Sequence, residues 1–227
     1  MMRIIEHRFY AGVNIHCFRP ALEATVDLGE LTDRETSEFP GLSEQVLAVL
    51  PGLREHVCGL GKRGGFLIKL EKGTYFGHLA EHMAIELLTQ VGVRPRYGKT
   101  RSTEQQGIYK IVIQCQWPNA ALTALEMACE GINNLLAGHK LSFDIPKLEQ
   151  ILTKEKPGPS TAAIIEAAES RGIPVKVLGH GSLLRLGTGC YNRYIEATIT
   201  GLTSCIGVDI ACDKTITNKL INEAMIP

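Results

Sequence analysis

The sequence predicts a mixed α+β protein: a larger N-terminal domain followed by a short α/β tail. Three observations carry that expectation. Apolar residues recur at three- and four-residue spacing through Thr74–Val91 and Leu122–Leu136, the period of an amphipathic helix. Gly107–Trp117 (GIYKIVIQCQW) alternates with the two-residue period of a strand. A charged and then proline-bound stretch, Thr153–Pro159 (TKEKPGP), interrupts both patterns and separates residues 1–156 from 157–227.

In chain order, Ile4–Cys17 reads as one or two strands around Gly12, and Gly41–Leu50 as a short helix stopped by Pro51-Gly52. The stretch CGLGKRGGFLIKLEKGTYFG is rich in glycine, which permits tight turns and close backbone approach, but it is not a phosphate-binding loop of the G-x-x-x-x-G-K-[ST] kind. It leads directly into the Thr74–Val91 helix. Arg94–Arg101 ends that helix and is locally basic. Pro118-Asn119 opens the helix that runs to Leu136, and Asp144 caps another to about Lys154. Beyond the linker, Ser160 is expected to cap a helix ended by Gly172. A strand at Ile173–Val177 follows, then Leu183–Leu186, a hairpin within Tyr191–Ile199 and two helical pieces over Thr203–Ile226.

Composition excludes several classes. With 44% hydrophobic residues, 21% charged residues and zero net charge, the chain suits a soluble globular protein and has no basic excess for nucleic acid. No apolar run approaches the ~18 residues of a membrane span. The N-terminus (MMRIIEHRFYAG) places Glu6 and His7 inside its apolar stretch and lacks a signal-peptide core, so the expected location is cytoplasmic. Seven cysteines without a C-x-x-C pair point to reduced, mostly buried thiols rather than a disulfide framework or a cysteine zinc site.

The chemistry is expected on the 74–91 helix. His78 and His82 are one turn apart on one face, and two imidazoles so placed can hold one tetrahedral zinc ion. Glu81 borders the same face and is the candidate general base for a water. The order His-x-x-Glu-His is that of the inverted zincins. The plainer reading is a helix with half-buried histidines. Glu86 is expected to face away, a turn further on. A third ligand is sought on the second helix: Glu126 flanks its apolar stripe most closely, with Glu130 as the alternative, and surface carboxylates are the plain reading of both.

Residues 61–87 (GKRGGFLIKLEKGTYFGHLAEHMAIEL) and 97–113 (YGKTRSTEQQGIYKIVI) resemble the N-terminal domain of cyanophycin synthetases, and residues 158–227 resemble the segment leading into their ATP-grasp domain. The resemblance implies no complete ATP site in this chain, hence no ligase activity of its own. It also implies one of two roles toward cyanophycin, a poly-aspartate with arginine on each β-carboxylate. One is a zinc-dependent, metallopeptidase-like endo-hydrolase that generates primers for synthesis, with His78, His82 and Glu126 on the metal and Glu81 as base. Arg101 or Arg96 would then serve the oxyanion or a substrate carboxylate, and Glu130 a substrate arginine. The other is a non-catalytic docking module. The expected partners are the polymer and either the remainder of a synthetase or another copy of the chain, with neither nucleic acid nor membrane involved.

Overall fold

The structure, a computed structural model, describes residues 1–59, 61–178 and 181–226. The chain divides into two compact units, Met1–Glu155 and Lys156–Pro227. In the first, β1 (Arg3–Tyr10) and β2 (Ala21–Asp27) form an antiparallel pair. There follow α1 (Leu42–Val49), a 3-10 turn over Pro51–Glu55, α2 (Gly65–Lys72) and α3 (Phe76–Gln90). The unit is completed by β3 (Gly98–Ser102), β4 (Ile108–Gln114), α4 (Pro118–Leu136) and α5 (Ile145–Glu155). The sheet order is β1-β2-β4-β3, antiparallel throughout.

Period-two alternation decides which face of this sheet is the core. Leu22, Ala24 and Val26 of β2 and Ile111 and Ile113 of β4 join the main hydrophobic cluster. Their neighbours Glu23 and Lys110 point to the other face. There Glu23 is clamped by His16 at 2.6 Å and Lys110 at 3.1 Å. Burial opposes its ionisation, but these two partners outweigh it and hold the carboxyl below its usual range. β2 is an interior strand with no counterpart among the expected elements, because a glutamate and two alanines mask its alternation. The strand expected over residues 4–17 ends at Tyr10 instead. Asn14 turns the chain beyond it, accepting the His16 and Cys17 N–H groups at 2.9 and 3.0 Å.

The helix face of the sheet carries α3, which packs against β3 and β4 and against α4. Leu79, Met83 and Leu87 of α3 are fully buried, each contributing on the order of 1.5–3 kcal/mol of apolar burial. The α4 N-terminus is held by α5: the Glu155 carboxylate accepts the Asn119 and Ala120 N–H groups at 2.9 and 2.8 Å, where helix-end donors favour an anion.

The second unit comprises α6 (Pro159–Glu169), a four-stranded antiparallel meander and two helices. The strands are β5 (Val175–Val177), β6 (Leu183–Leu186), β7 (Arg193–Glu196) and β8 (Ile199–Thr200), and the helices are α7 (Cys205–Cys212) and α8 (Lys214–Glu223). Proline at the first position of α6, after Gly158, starts that helix before Ser160, which caps nothing. Gly179, His180 and Pro227, within the segment read as leading into an ATP-grasp domain, lie outside the described residues. Among the described residues, no helix is long and apolar enough to cross a membrane.

Candidate functional site

α3 has two buried faces of different character. Its apolar face enters the core. Its other stripe, His78, Glu81, His82, Ile85, Glu86 and Thr89, lines a cleft of about 1060 Å³, following the i, i+3, i+4 spacing of one helix face. Opposite this stripe lie residues 52–59, Lys69 of α2, and the 94–100 segment that ends on β3. Glu81, His82 and Glu86 are only 4–6% exposed. Polar groups buried to this degree require partners, and each one has them.

His78 is held from both ring nitrogens. Its Nδ1 meets the Thr74 hydroxyl at 2.8 Å and its Nε2 lies 3.2 Å from the Cys58 Sγ. Thr74 is itself fixed, because its N–H donates to the Thr36 hydroxyl and its carbonyl accepts the Thr36 N–H. His82 stacks on Phe66 of α2 with centroids 3.9 Å apart, and its Nδ1 meets His56 Nδ1 at 3.0 Å. His56 Nε2 in turn meets the Glu86 carboxylate at 3.0 Å. The Thr100 hydroxyl donates to Glu81 Oε2 at 2.6 Å.

Two glycines make room for these carboxylates. A Cβ on Gly98 would lie 2.6 Å from both Glu81 Oε1 and Ile85 Cδ1, and one on Gly52 would overlap the Glu86 carboxylate. The backbone approaches both acids more closely than any side chain would allow.

Burial sets the protonation states. It pulls the His78 imidazole down to about 4, helped by Lys69 and Lys99. It pulls His82 down to about 2, helped by the adjoining His78 and His56. Both rings are therefore neutral at pH 7 and keep a lone pair for a metal. Burial also pushes Glu81 up to about 7 against the opposing Thr100 hydrogen bond and the charge of Lys99. A carboxyl in that range exchanges a proton readily at neutral pH.

Cys58, His78 and His82 each present a ligand atom, and the three atoms lie within 4.8 Å of one another. One thiol and two imidazoles are donor types that zinc takes in tetrahedral sites, and three such ligands leave a fourth position. The third ligands expected on the second helix lie elsewhere. Glu126 and Glu130 are exposed on α4, and neither lines the cleft. Arg101 does not line it either. Strand alternation turns Arg101 to the face opposite Thr100, and it is exposed. Arg96 does line the cleft, together with Arg94, Lys69, Lys99 and Glu55.

The expectations for cysteine and for Glu86 also change. All seven thiols are free, but only Cys115 and Cys129 are buried, and Cys58 stands in the metal-competent group. Glu86 faces the cleft rather than away from it. Sequence reasoning missed Cys58, His56, Phe66 and Thr100. Two signals were present: a thiol opening the glycine-rich stretch, and Glu86 continuing the 78, 82 spacing by a further four residues.

A family model for the cyanophycin synthase-like N-terminal domain matches residues 23–137, which include every residue lining the cleft. Curated relatives cover the whole chain. The cyanophycin synthetases of Geminocystis herdmanii, Synechocystis sp. and Trichormus variabilis are 33%, 35% and 34% identical over 233 aligned residues. The chain spans 26–27% of the length of these curated relatives.

Proposed function

The chain belongs to the cyanophycin synthase-like N-terminal domain family, and from that premise we propose that its cleft is a metal-dependent hydrolytic site acting on cyanophycin. Internal cuts in the polymer would yield short segments that prime its synthesis. The observation that carries the reading is the convergence of Cys58, His78 and His82 beside the buried Glu81. Cys58, His78 and His82 would hold the ion, zinc being the metal best matched to one thiolate and two imidazoles. When bound, the ion would supply Lewis-acid polarisation of a carbonyl and an acidified water.

The chain's own residues do the rest. Glu81 takes a proton from water on its carboxylate and returns it to the departing amine. The Thr100 hydroxyl holds Oε2 and so fixes the orientation of the carboxylate. Arg94, Arg96, Lys69 and Lys99 provide cations for the carboxylates of the arginyl branches, and Glu55 provides an anion for a guanidinium. Phe66 and His56 keep the His82 ring in place.

The test is incubation of purified cyanophycin with the zinc-replete protein, following polymer length and released amines. Cleavage that is abolished by a chelator, restored by zinc and slowed about a hundredfold or more in Glu81→Gln supports the reading. A folded, zinc-loaded protein that binds the polymer without shortening it is a docking module instead. The Cys58–His78 contact at 3.2 Å is also the geometry of a thiol–imidazole nucleophile pair. Cleavage that resists chelators but stops on alkylation would assign the site to that chemistry.

A further inference from the structure

We propose that His56 and Glu86 are positioning residues that fix the tautomer of His82, so that its Nε2 lone pair faces the metal position; this rests on the metal-binding reading above. The contacts have a direction. Glu86 offers His56 a carboxylate, which accepts hydrogen bonds and does not donate them. His56 Nε2, 3.0 Å away, must therefore carry its proton. A neutral imidazole protonated at Nε2 has its lone pair on Nδ1, and that atom lies 3.0 Å from His82 Nδ1. His82 must then be the donor there, carrying its proton on Nδ1 and leaving Nε2 free. The opposite assignment would place a His56 lone pair against the carboxylate and a proton on His82 where the ion belongs.

The surroundings lock this chain in one arrangement. Glu86 is 6% exposed, and the His56 and Glu86 side chains are 13% and 8% exposed. Gly52 has no side chain where a Cβ would overlap the Glu86 carboxylate. Phe66 lies flat on the His82 ring, so rotation of the imidazole is blocked from one face. His78 has a smaller version of the same device, since Thr74 engages its Nδ1 and leaves Nε2 toward Cys58. Outer partners of this kind orient ligating imidazoles and raise their basicity.

Two measurements on the full chain test the inference. Nitrogen-15 NMR of the imidazoles in the metal-free wild type should show His82 protonated at Nδ1 and His56 at Nε2. Glu86→Gln supplies an amide that donates as well as accepts, so it should give mixed tautomers at both rings. Zinc affinity, read by competition with a chromophoric chelator, should fall about 10–100-fold in Glu86→Gln. Glu86→Asp should recover part of it. A wild-type His82 protonated at Nε2 overturns the proposal. So does a folded Glu86→Gln protein with unchanged tautomers and wild-type zinc affinity. A wild type without zinc affinity would sink the metal-dependent reading, while the nitrogen spectrum still decides the tautomer assignment by itself.

Discussion

α3 and α4 lie side by side, each amphipathic and each with glutamates along its polar stripe, yet their polar stripes meet different fates. On α4, Glu126 and Glu130 stand in solvent. On α3, Glu81, His82 and Glu86 are enclosed by cleft-lining residues of the 52–59 and 94–100 segments, and each side chain has at least one hydrogen-bond partner. Burying a carboxylate costs several kcal/mol unless hydrogen bonds offset it. For Glu81 burial outweighs the Thr100 hydrogen bond, so its ionised form opposes stability. The difference lies in what covers each stripe, since the composition of the two is alike.

Removing a donor should break the contrast most severely. Cys58→Ala, like His78→Ala or His82→Ala, should lower zinc affinity by roughly a thousandfold or more, beyond the ~10–100-fold typical of outer partners, and abolish cleavage. Metal titration followed by polymer-length analysis checks both.

Glu81→Gln should keep zinc and lose about 10²–10⁴-fold in cleavage rate. It should also stabilise the metal-free protein. The folded-state carboxyl, raised from 4.5 to about 7, binds a proton more tightly than in the unfolded chain. Its stabilising contribution is complete below about pH 4.5 and is lost as pH rises to 7. Glutamine does not titrate, so the variant's advantage should grow across that window to on the order of 3 kcal/mol. Denaturant melts at pH 4 and pH 8 measure it. The two imidazoles act in the opposite sense: buried neutral, they destabilise the fold as pH falls below 6.5.

Gly98→Ala should be milder, costing about 1–3 kcal/mol as the new methyl displaces Glu81 and Ile85. Turnover should fall with it, because the displaced group is the proposed proton acceptor. At the small end, Glu126→Ala and Glu130→Ala should change stability by less than about 0.5 kcal/mol and leave zinc binding and cleavage intact. A large loss of zinc in either would put α4 back into the site.

The α3 helix, its two histidines and Glu81 are legible in the sequence because helical periodicity is local and places i and i+4 on one face. α4 and the α+β class follow from the same kind of signal. Cys58 and His56 are not legible in that way, since they sit on an irregular segment brought over α3 by tertiary packing alone. A helical wheel shows that Glu126 flanks an apolar stripe, but not that the cleft opens on another side of α3. The side of Arg101 depends on strand register, which the sequence does not show: the pairing of Arg101 with Lys110 puts Thr100, not Arg101, over Glu81. α2 was hidden by glycines that flank it, although its Phe66 supports both imidazoles.

Whether Cys58 completes the donor set is the claim on which the rest depends, and X-ray absorption at the zinc edge addresses it directly. One sulfur at about 2.3 Å and two imidazole nitrogens at about 2.0–2.1 Å are expected in the zinc-loaded protein, with the sulfur shell lost in Cys58→Ser. A first shell of nitrogen and oxygen alone in the wild type would contradict it.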